Sequence, residues 1–231
     1  MINGVIFDKD GTLFDFRQSW GTWSAHLLAE LAQDAAHAAR LARAIGYLPE
    51  ANDFTPDSPV IAATPTEIAA ELLPLLPGFD HLTLTARLNA RAAQAVMVEV
   101  APLAPLLTDL RARGLRIGLA TNDTELPART HLASHGVADL FDFVAGCDSG
   151  HGGKPGPGML LAFAREMGLA PGRVVMVGDS RHDLEAGRAA GMRTVAVLTG
   201  IAKRAELAPH ADVVLADIGA LGGWIDSFKA P

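Results

Sequence analysis

Short apolar runs alternate with helical patterns along most of this chain, and that alternation limits the possible folds more than any other feature. The apolar runs predict buried strands at 3–8, 115–120, 141–145, 174–177, 194–198 and 213–215. Helices are predicted between them at 105–113, 125–135, 157–167, 182–190 and 218–228. Several of these helices stop at a glycine, a residue that readily closes a helix. The alternation predicts an α/β fold with a parallel sheet covered on both faces.

Residues 16–99 interrupt this rhythm. Helical patterns rich in Ala and Leu cover 19–46, and further helical patterns cover 66–73 and 84–99. A proline-containing stretch at 52–65 predicts a loop. Because no strand run is evident here, we predict an all-helical domain, 16–99, inserted after the first strand of a core made of 1–15 and 100–231.

Composition and charge narrow the class of protein. The chain has 231 residues, a formal net charge of −7 and a pI near 5.5. This acidic balance argues against a nucleic-acid partner, because no surplus of basic groups exists to neutralise a phosphate backbone. Cys147 is the only cysteine, which excludes an intrachain disulfide and fits a reducing compartment. With no signal peptide or membrane-spanning run evident, we expect a cytoplasmic monomer or homodimer without a membrane partner.

Polar side chains follow four of the predicted strands. They are Asp8, Asp10, Gly11 and Thr12 after the first strand, Thr121 and Asn122 after 115–120, Lys154 after 141–145, and Asp179 and Asp183 after 174–177. In an open parallel sheet, ligands bind at the carboxyl ends of the strands. These side chains are therefore expected to converge on one crevice.

The residue types suit phosphate chemistry. Crowded carboxylates repel one another unless a cation intervenes, and Mg²⁺ binds one or two carboxylates, waters and a phosphate oxygen. Thr121, Asn122 and Lys154 can hold the remaining phosphate oxygens. A carboxylate such as Asp8 can attack phosphorus, and Asp10 can protonate the leaving oxygen and later deprotonate a water.

Four sequence motifs in this order resemble those of the haloacid dehalogenase-like (HAD) hydrolase superfamily. They are DKDGTLFD, LATND, KPGPGMLLAFAREMGL and VGDSRHDLEAGRAAGM. The resemblance covers about 1–15 and 100–231, and it implies a Rossmann-like core. An insertion directly after the first motif is similar to the helical cap type called C1. By motifs and cap type, the chain most resembles the phosphoglycolate phosphatase-like subgroup.

The resemblance implies a role for each acidic residue of the motifs. Asp8 would be the nucleophile and a Mg²⁺ ligand. Asp10 would be the general acid and base and would give its backbone carbonyl to the metal. Asp179 would bind Mg²⁺ directly or through water, and Asp183 would support the metal shell.

The remaining motif residues would bind phosphate or support the loop. Thr121 and Asn122 would bind the transferring phosphoryl group, with Lys154 beside them. Thr12 would orient Asp10, and Gly11 would permit the tight turn. The implied reaction is Mg²⁺-dependent hydrolysis of a small phosphate monoester, 2-phosphoglycolate being one candidate, through an aspartyl-phosphate.

Three other functions remain open at this point. A β-phosphoglucomutase-like mutase would share the nucleophile, the acid and the cap. A haloacid dehalogenase would share the nucleophile but needs neither a metal nor an acid at position 10, so Asp10 favours a phosphatase. A receiver-like signalling module also phosphorylates an aspartate, but its lysine follows its last strand, whereas here the GDSRHD stretch comes after Lys154.

Substrate specificity is expected to come from the insertion. Arg17, Arg87 and Arg91 are the cations predicted to meet a substrate carboxylate or second anion, and the loop at 54–65 is another candidate. Closure of the cap would expel water from the site.

Other conspicuous side chains are interpreted as structural. Asp123 is taken as a solvated loop residue, and His131 and His135 as a solvent-facing pair on a helix. Trp20 and Trp23 are taken as helix packing.

Overall fold

The computed structural model describes residues 1–228. Within that range the strands are β1 Gly4–Phe7, β2 Tyr47–Leu48, β3 Asp53–Phe54, β4 Arg116–Ala120, β5 Phe143–Ala145, β6 Val174–Gly178, β7 Arg193–Val197 and β8 Val213–Leu215. The α-helices are α1 Phe16–Leu31, α2 Ala35–Ala44, α3 Pro65–Leu72, α4 His81–Ala92, α5 Leu103–Ala112, α6 Glu125–Ser134, α7 Gly158–Glu166, α8 Arg181–Ala189, α9 Arg204–Leu207 and α10 Leu221–Asp226. Residues 229–231 of the predicted core lie outside this description.

The predicted α/β architecture is confirmed. Six strands form one parallel sheet in the order β5-β4-β1-β6-β7-β8. β4 pairs with one side of β1, and β6, which comes later in the chain, pairs with the other side. Strand order therefore reverses at β1, and such a reversal opens a crevice at the carboxyl ends of the strands.

Alternation along β1 explains why helices cover both faces of the sheet. Val5 and Phe7 are buried on one face, in the larger apolar cluster that also contains Leu107 of α5. Ile6 is buried on the other face, in a cluster that includes Phe163 of α7. Because successive side chains of a strand point to opposite faces, a run that is apolar at every position needs a cover on each.

The insertion is mainly helical, but the expectation that it is all-helical is wrong in one place. β2 and β3 pair antiparallel, with Tyr47 opposite Phe54. Two-residue strands leave too little alternating pattern to be recognised in a sequence. The predicted helical pattern 19–46 is divided into α1 and α2, because Asp34 caps a new helix by accepting a hydrogen bond from His37 N at 2.7 Å.

The helix predicted over 84–99 ends at Ala92. The chain then returns beside the segment that leads into the insertion. Val100 N donates to Leu13 O at 3.0 Å, and Asp15 N donates to Val98 O at 2.7 Å. The two connections thus run together, and the domain boundaries at 15 and 100 stay a prediction that these contacts support. Among the described residues, no helix has the length and apolar character needed to cross a bilayer.

Candidate active site

The side chains predicted to converge lie around one cavity at the carboxyl ends of β1, β4 and β6. Its polar wall includes Asp8, Asp10, Thr121, Asn122, Lys154, Asp179 and Asp183. Asp8 directly follows β1, while Thr121 and Asp179 directly follow the neighbouring strands β4 and β6. Parallel strands in register bring these three positions to one edge of the sheet.

Lys154 lies between two carboxylates. Its Nζ donates to Asp8 Oδ1 at 2.5 Å and to Asp183 Oδ1 at 2.6 Å. Burial alone would lower the pKa of Lys154, but Asp183 and Asp8 raise it above its usual value. Lys154 is therefore a fixed positive charge in the wall of the cavity.

Asp183 performs the helix-capping role as well as the ionic one. Its Oδ2 accepts hydrogen bonds from Ser180 N at 3.0 Å and Ser180 Oγ at 2.6 Å, in a capping box at the start of α8. The capping interaction leaves Oδ1 directed to Lys154. One side chain thus serves both as a helix cap and as an ion-pair partner of Lys154.

Three carboxylates are crowded enough to hold a cation. Oxygen atoms of Asp8, Asp179 and Asp183 lie within 4.8 Å of one another. Burial raises the pKa of Asp8 to about 7, an effect that Lys154 opposes and that Asp183 and Asp10 reinforce. Burial, then Asp8 and Asp183, raise the pKa of Asp179 well above its usual value. Oxygen ligands with an excess of negative charge suit Mg²⁺.

Glycines make room for these carboxylates. Gly11 has φ +78°, and a Cβ built there would overlap the Asp179 carboxylate. A Cβ at Gly200 would overlap the same group, and one at Gly178 would overlap the Asp183 side chain. Gly11 is therefore needed for the close approach of Asp179 as well as for the turn.

Asp10 is held by the insertion. Trp20 Nε1, on α1, donates to Asp10 Oδ1 at 2.7 Å. Burial raises the pKa of Asp10, although Lys9 lowers it and Trp20 does so to a smaller extent. The predicted orienting bond from Thr12 is absent, because the buried Thr12 Oγ1 has no hydrogen-bond partner among the described residues. Orientation of Asp10 thus comes from a residue that the sequence suggested was only packing.

Lys9 is a fully buried cation that sequence reasoning missed. Its Nζ donates to Asp123 Oδ2 at 2.7 Å, lies 3.4 Å from Asp10 Oδ2 and sits 5.2 Å from the ring centroid of Trp20. Burial would lower the pKa of Lys9, but Asp10 and Asp123 raise it. A lysine directly after a buried apolar strand was the available signal, because a cation at such a position needs anionic partners.

Two structural interpretations are wrong in this region. Asp123 is not a solvated loop residue, since its side chain is 7% exposed and pairs with Lys9. His131 does not face solvent, since it is buried, with Nε2 2.9 Å from Ala92 O and Nδ1 3.1 Å from Lys9 Nζ. Burial, and next Lys9, lower the pKa of His131 to about 4. These contacts fit a neutral ring that donates from Nε2 and accepts at Nδ1.

Asn122 holds backbone rather than facing the cavity with a free amide. Its Nδ2 donates to Ala62 O at 2.8 Å and to Lys154 O at 2.9 Å, and its Oδ1 accepts from Lys154 N at 2.8 Å. Because both amide hydrogens are engaged, the side chain has none to donate to phosphate, and the phosphate-binding role of Asn122 stays a prediction for its backbone N–H. Thr121 Oγ1 accepts from Asp123 N at 3.1 Å, which leaves the hydroxyl hydrogen for another acceptor.

The three predicted specificity arginines lie outside the cavity wall. Arg17 pairs with Asp53 at 3.0 Å and donates to Gly200 O at 3.0 Å. Arg87 and Arg91 pair with Glu30 at 3.3 Å and 2.7 Å, on the outer side of the insertion. The loop at 54–65, the other specificity candidate, does contribute to the cavity wall, because residues 60–63 and Pro65 line it.

Comparison with known proteins agrees with this geometry. The family model of haloacid dehalogenase-like hydrolases matches residues 2–191. The chain is 31% identical over 216 residues to the phosphoglycolate phosphatase of Escherichia coli, covering 86% of this chain and 82% of that protein. It is 37% identical over 120 residues to the phosphoglycolate phosphatase of Rhodospirillum rubrum, about half of each chain, at 52% and 50%.

A solved structure shows the same fold. A Haemophilus somnus protein described as a predicted phosphoglycolate phosphatase superposes with a TM-score of 0.74 at 17% identity, covering 97% of this chain and 98% of that one. The parallel sheet and the carboxylate-lined cavity at its carboxyl end define a hydrolase with a Rossmann-like core. The chain belongs to the haloacid dehalogenase-like hydrolase family. Within that family it is a phosphatase.

We predict that Mg²⁺ stabilises the folded protein more at pH 7 than near pH 4. Because folding raises the pKa of Asp8 from 3.8 to about 7, its contribution to metal-free stability is present below the unfolded value and is lost as pH rises through the folded one. A cation that binds the ionised carboxylates offsets that loss. Melting temperatures with Mg²⁺ and with chelator, at both pH values, measure the difference.

The matched control is Asp148→Asn, which changes an exposed carboxylate. It should keep the full Mg²⁺ response, whereas Asp179→Asn should lose most of it. If the melting temperature is the same with Mg²⁺ and with chelator at both pH values, the carboxylate cluster binds no divalent cation.

Proposed function

We propose that this phosphatase hydrolyses small phosphate monoesters through a covalent phosphoryl-aspartate at Asp8, with Mg²⁺ as its cofactor. The observation that carries the proposal is the buried Asp8 carboxylate at the end of β1, 2.5 Å from Lys154 Nζ and within the cluster of Asp179 and Asp183. An isolated carboxylate would be poorly placed to approach a phosphate dianion. Beside a fixed cation and a metal site, that approach is favourable.

Two displacements at phosphorus complete the reaction. An oxygen of Asp8 attacks phosphorus, the bond to the leaving alcohol breaks, and Asp10 gives that oxygen a proton. A water then attacks the phosphoryl group, Asp10 takes a proton from it, and the phosphorus–oxygen bond to Asp8 breaks. Phosphate leaves, and both carboxyl groups return to their starting states.

The residues around Asp8 supply charge and position. Asp8, Asp179 and the backbone carbonyl of Asp10 would hold Mg²⁺, and Asp183 would support them. When bound, the ion neutralises charge between the nucleophile and the phosphoryl oxygens. Thr121 can donate its hydroxyl hydrogen to one such oxygen.

The backbone on either side of the cavity is held by one amide. Asn122 bonds to the backbone of Lys154 in both directions, so it keeps the strand-end loop and the lysine together. We therefore propose a positioning role for the Asn122 side chain. Trp20 acts similarly on Asp10, because its indole N–H fixes one carboxylate oxygen.

Phosphate release from a panel of monophosphates tests the proposed function. With Mg²⁺ we expect release from at least one small ester, and with a chelator we expect the rate to fall by about 100-fold or more, because the metal carries several kcal/mol of charge stabilisation. The panel includes 2-phosphoglycolate, since the named relatives are phosphoglycolate phosphatases. It also includes glucose 1-phosphate with a bisphosphate primer, so that a mutase would be seen. Equal rates with and without metal would contradict the proposed mechanism.

A further inference from the structure

The cavity above Asp8 has two unlike walls. The core contributes the polar wall at the strand ends. The insertion contributes an apolar roof, defined here by Trp20, Trp23, Val60, Ile61, Ile68 and Leu88. The leaving group of a substrate whose phosphorus meets Asp8 would lie against that roof, because Asp8 and Asp10 occupy the opposite wall.

The roof carries no counter-charge for a second anion. Among the described residues that line the cavity, Lys154 is the one lysine or arginine, and it is already shared by Asp8 and Asp183. Lys9 is buried behind the wall against Asp123. Arg87, the neighbour of Leu88 in the sequence, and Arg91 both pair with Glu30 outside the cavity.

The two tryptophans keep the roof apolar next to the reacting atoms. Trp20 uses its N–H on Asp10, so its ring is what remains to face the cavity. Trp23 packs edge-on against it with ring centroids 5.1 Å apart, and its indole nitrogen is buried without a hydrogen-bond partner among the described residues, so that it is not exposed in the cavity. The hydrogen bond from Trp20 to Asp10 also fixes the distance between the roof and the core, since it joins α1 to the loop after β1.

The enclosed space is small. Its volume is about 60 Å³. The inner cavity meets an outer cleft past Ile61 and His182, which line both. In the cleft, Lys203 and Arg181 are accompanied by Glu67 and Glu206, so the entrance has no net positive wall that would draw a second anion outward.

We propose that the organic group of the substrate is compact, uncharged and apolar, so that the natural substrate is the monophosphate of a small hydrophobic alcohol. This inference rests on the proposed function and names its substrate class. A carboxylate or a second phosphate held against the roof would lose its water without gaining a lysine or arginine partner there, which disfavours it. An alkyl or aryl group there would gain from leaving water.

The test compares two monophosphates of similar length, propyl phosphate and 2-phosphoglycolate, on the full chain with Mg²⁺. We expect kcat/KM to be at least about 100-fold higher for propyl phosphate, the scale on which a site rejects a group it leaves unpaired. A higher kcat/KM for 2-phosphoglycolate would overturn the inference and leave the proposed function standing. Failure to hydrolyse either ester, together with failure on p-nitrophenyl phosphate, would overturn both.

A matched pair of variants tests the cause of the preference. Ile61 is half-buried and lines both spaces, so a longer side chain can be placed there without opening the core. Ile61→Lys adds a cation to the roof and should shift the kcat/KM ratio about tenfold toward 2-phosphoglycolate. Ile61→Met, of similar length and no charge, should leave the ratio near its original value. An unchanged ratio in the folded Ile61→Lys protein would count against the inference.

Discussion

Asp8→Asn is expected to lower Mg²⁺-dependent phosphate release by about 10⁴-fold or more, the scale of loss on removing a nucleophile. The substitution keeps the shape of the side chain and removes the negative charge that attacks phosphorus. It also removes the anionic partner that lies 2.5 Å from Lys154 Nζ. Lys154 keeps its second partner, Asp183, so the loss should be in the chemical step and the chain should still fold.

Steady-state phosphate release, with circular dichroism to verify folding, measures this effect. Rapid quenching of the wild-type reaction followed by mass spectrometry should reveal one phosphoryl group on the peptide that contains Asp8. Asp139→Asn is the matched control, because it makes the same chemical change at an exposed aspartate and should leave the rate unchanged. If Asp8→Asn kept more than a tenth of the wild-type rate, the covalent mechanism at Asp8 would be wrong.

Lys9→Met is expected to destabilise the fold by about 3–5 kcal/mol, the range for removing one partner of a buried ion pair. Lys9 is fully buried, and its ammonium lies 2.7 Å from Asp123 Oδ2, 3.4 Å from Asp10 Oδ2 and 3.1 Å from His131 Nδ1. Methionine fills most of the volume but supplies no charge. Two largely buried carboxylates, Asp10 and Asp123, would then lie near each other without the cation that separates them.

Urea unfolding of the folded protein measures the loss. Lys203→Met is the control, because Lys203 is exposed, and it should change stability by less than about 0.5 kcal/mol. Adding Asp123→Asn to Lys9→Met should recover part of the loss, since one uncompensated charge is removed. A free energy of unfolding for Lys9→Met equal to that of the wild type would show that the Lys9 cluster does not stabilise the fold.

The arginine hypothesis shows where reasoning from sequence reaches its limit. Arg87 and Arg91 have the charge that a second anion would need, and they lie on α4, whose residues Leu88 and Ala92 do line the cavity. Which side of α4 faces the cavity became known only from the elements that pack against this helix. Glu30 on α1 draws both arginines to the outer surface, and the cavity is left with an apolar roof.

His131 is a second residue whose environment could not be predicted from the sequence. Two histidines at i and i+4 form a polar face on a helix, and polar helix faces are usually exposed to solvent. Here α6 lies beside the end of α4, and His131 Nε2 is 2.9 Å from Ala92 O. The insertion therefore covers a helix of the core that would otherwise be exposed, and burial makes the histidine neutral.

The sequence by itself determined the six strands of the parallel sheet, most of the helices and the family, because periodicity, glycine stops and the four motifs are local features of the chain. It also placed the acidic residues near the strand ends, since Asp8 and Asp179 follow their strands directly and Asp10 and Asp183 come shortly after them. Only the tertiary structure decided which charges pair, as with Lys9 and Asp123, 114 residues apart. Such pairings depend on how the insertion packs over the sheet, and that packing buries Lys9, orients Asp10 through Trp20 and keeps cations out of the roof.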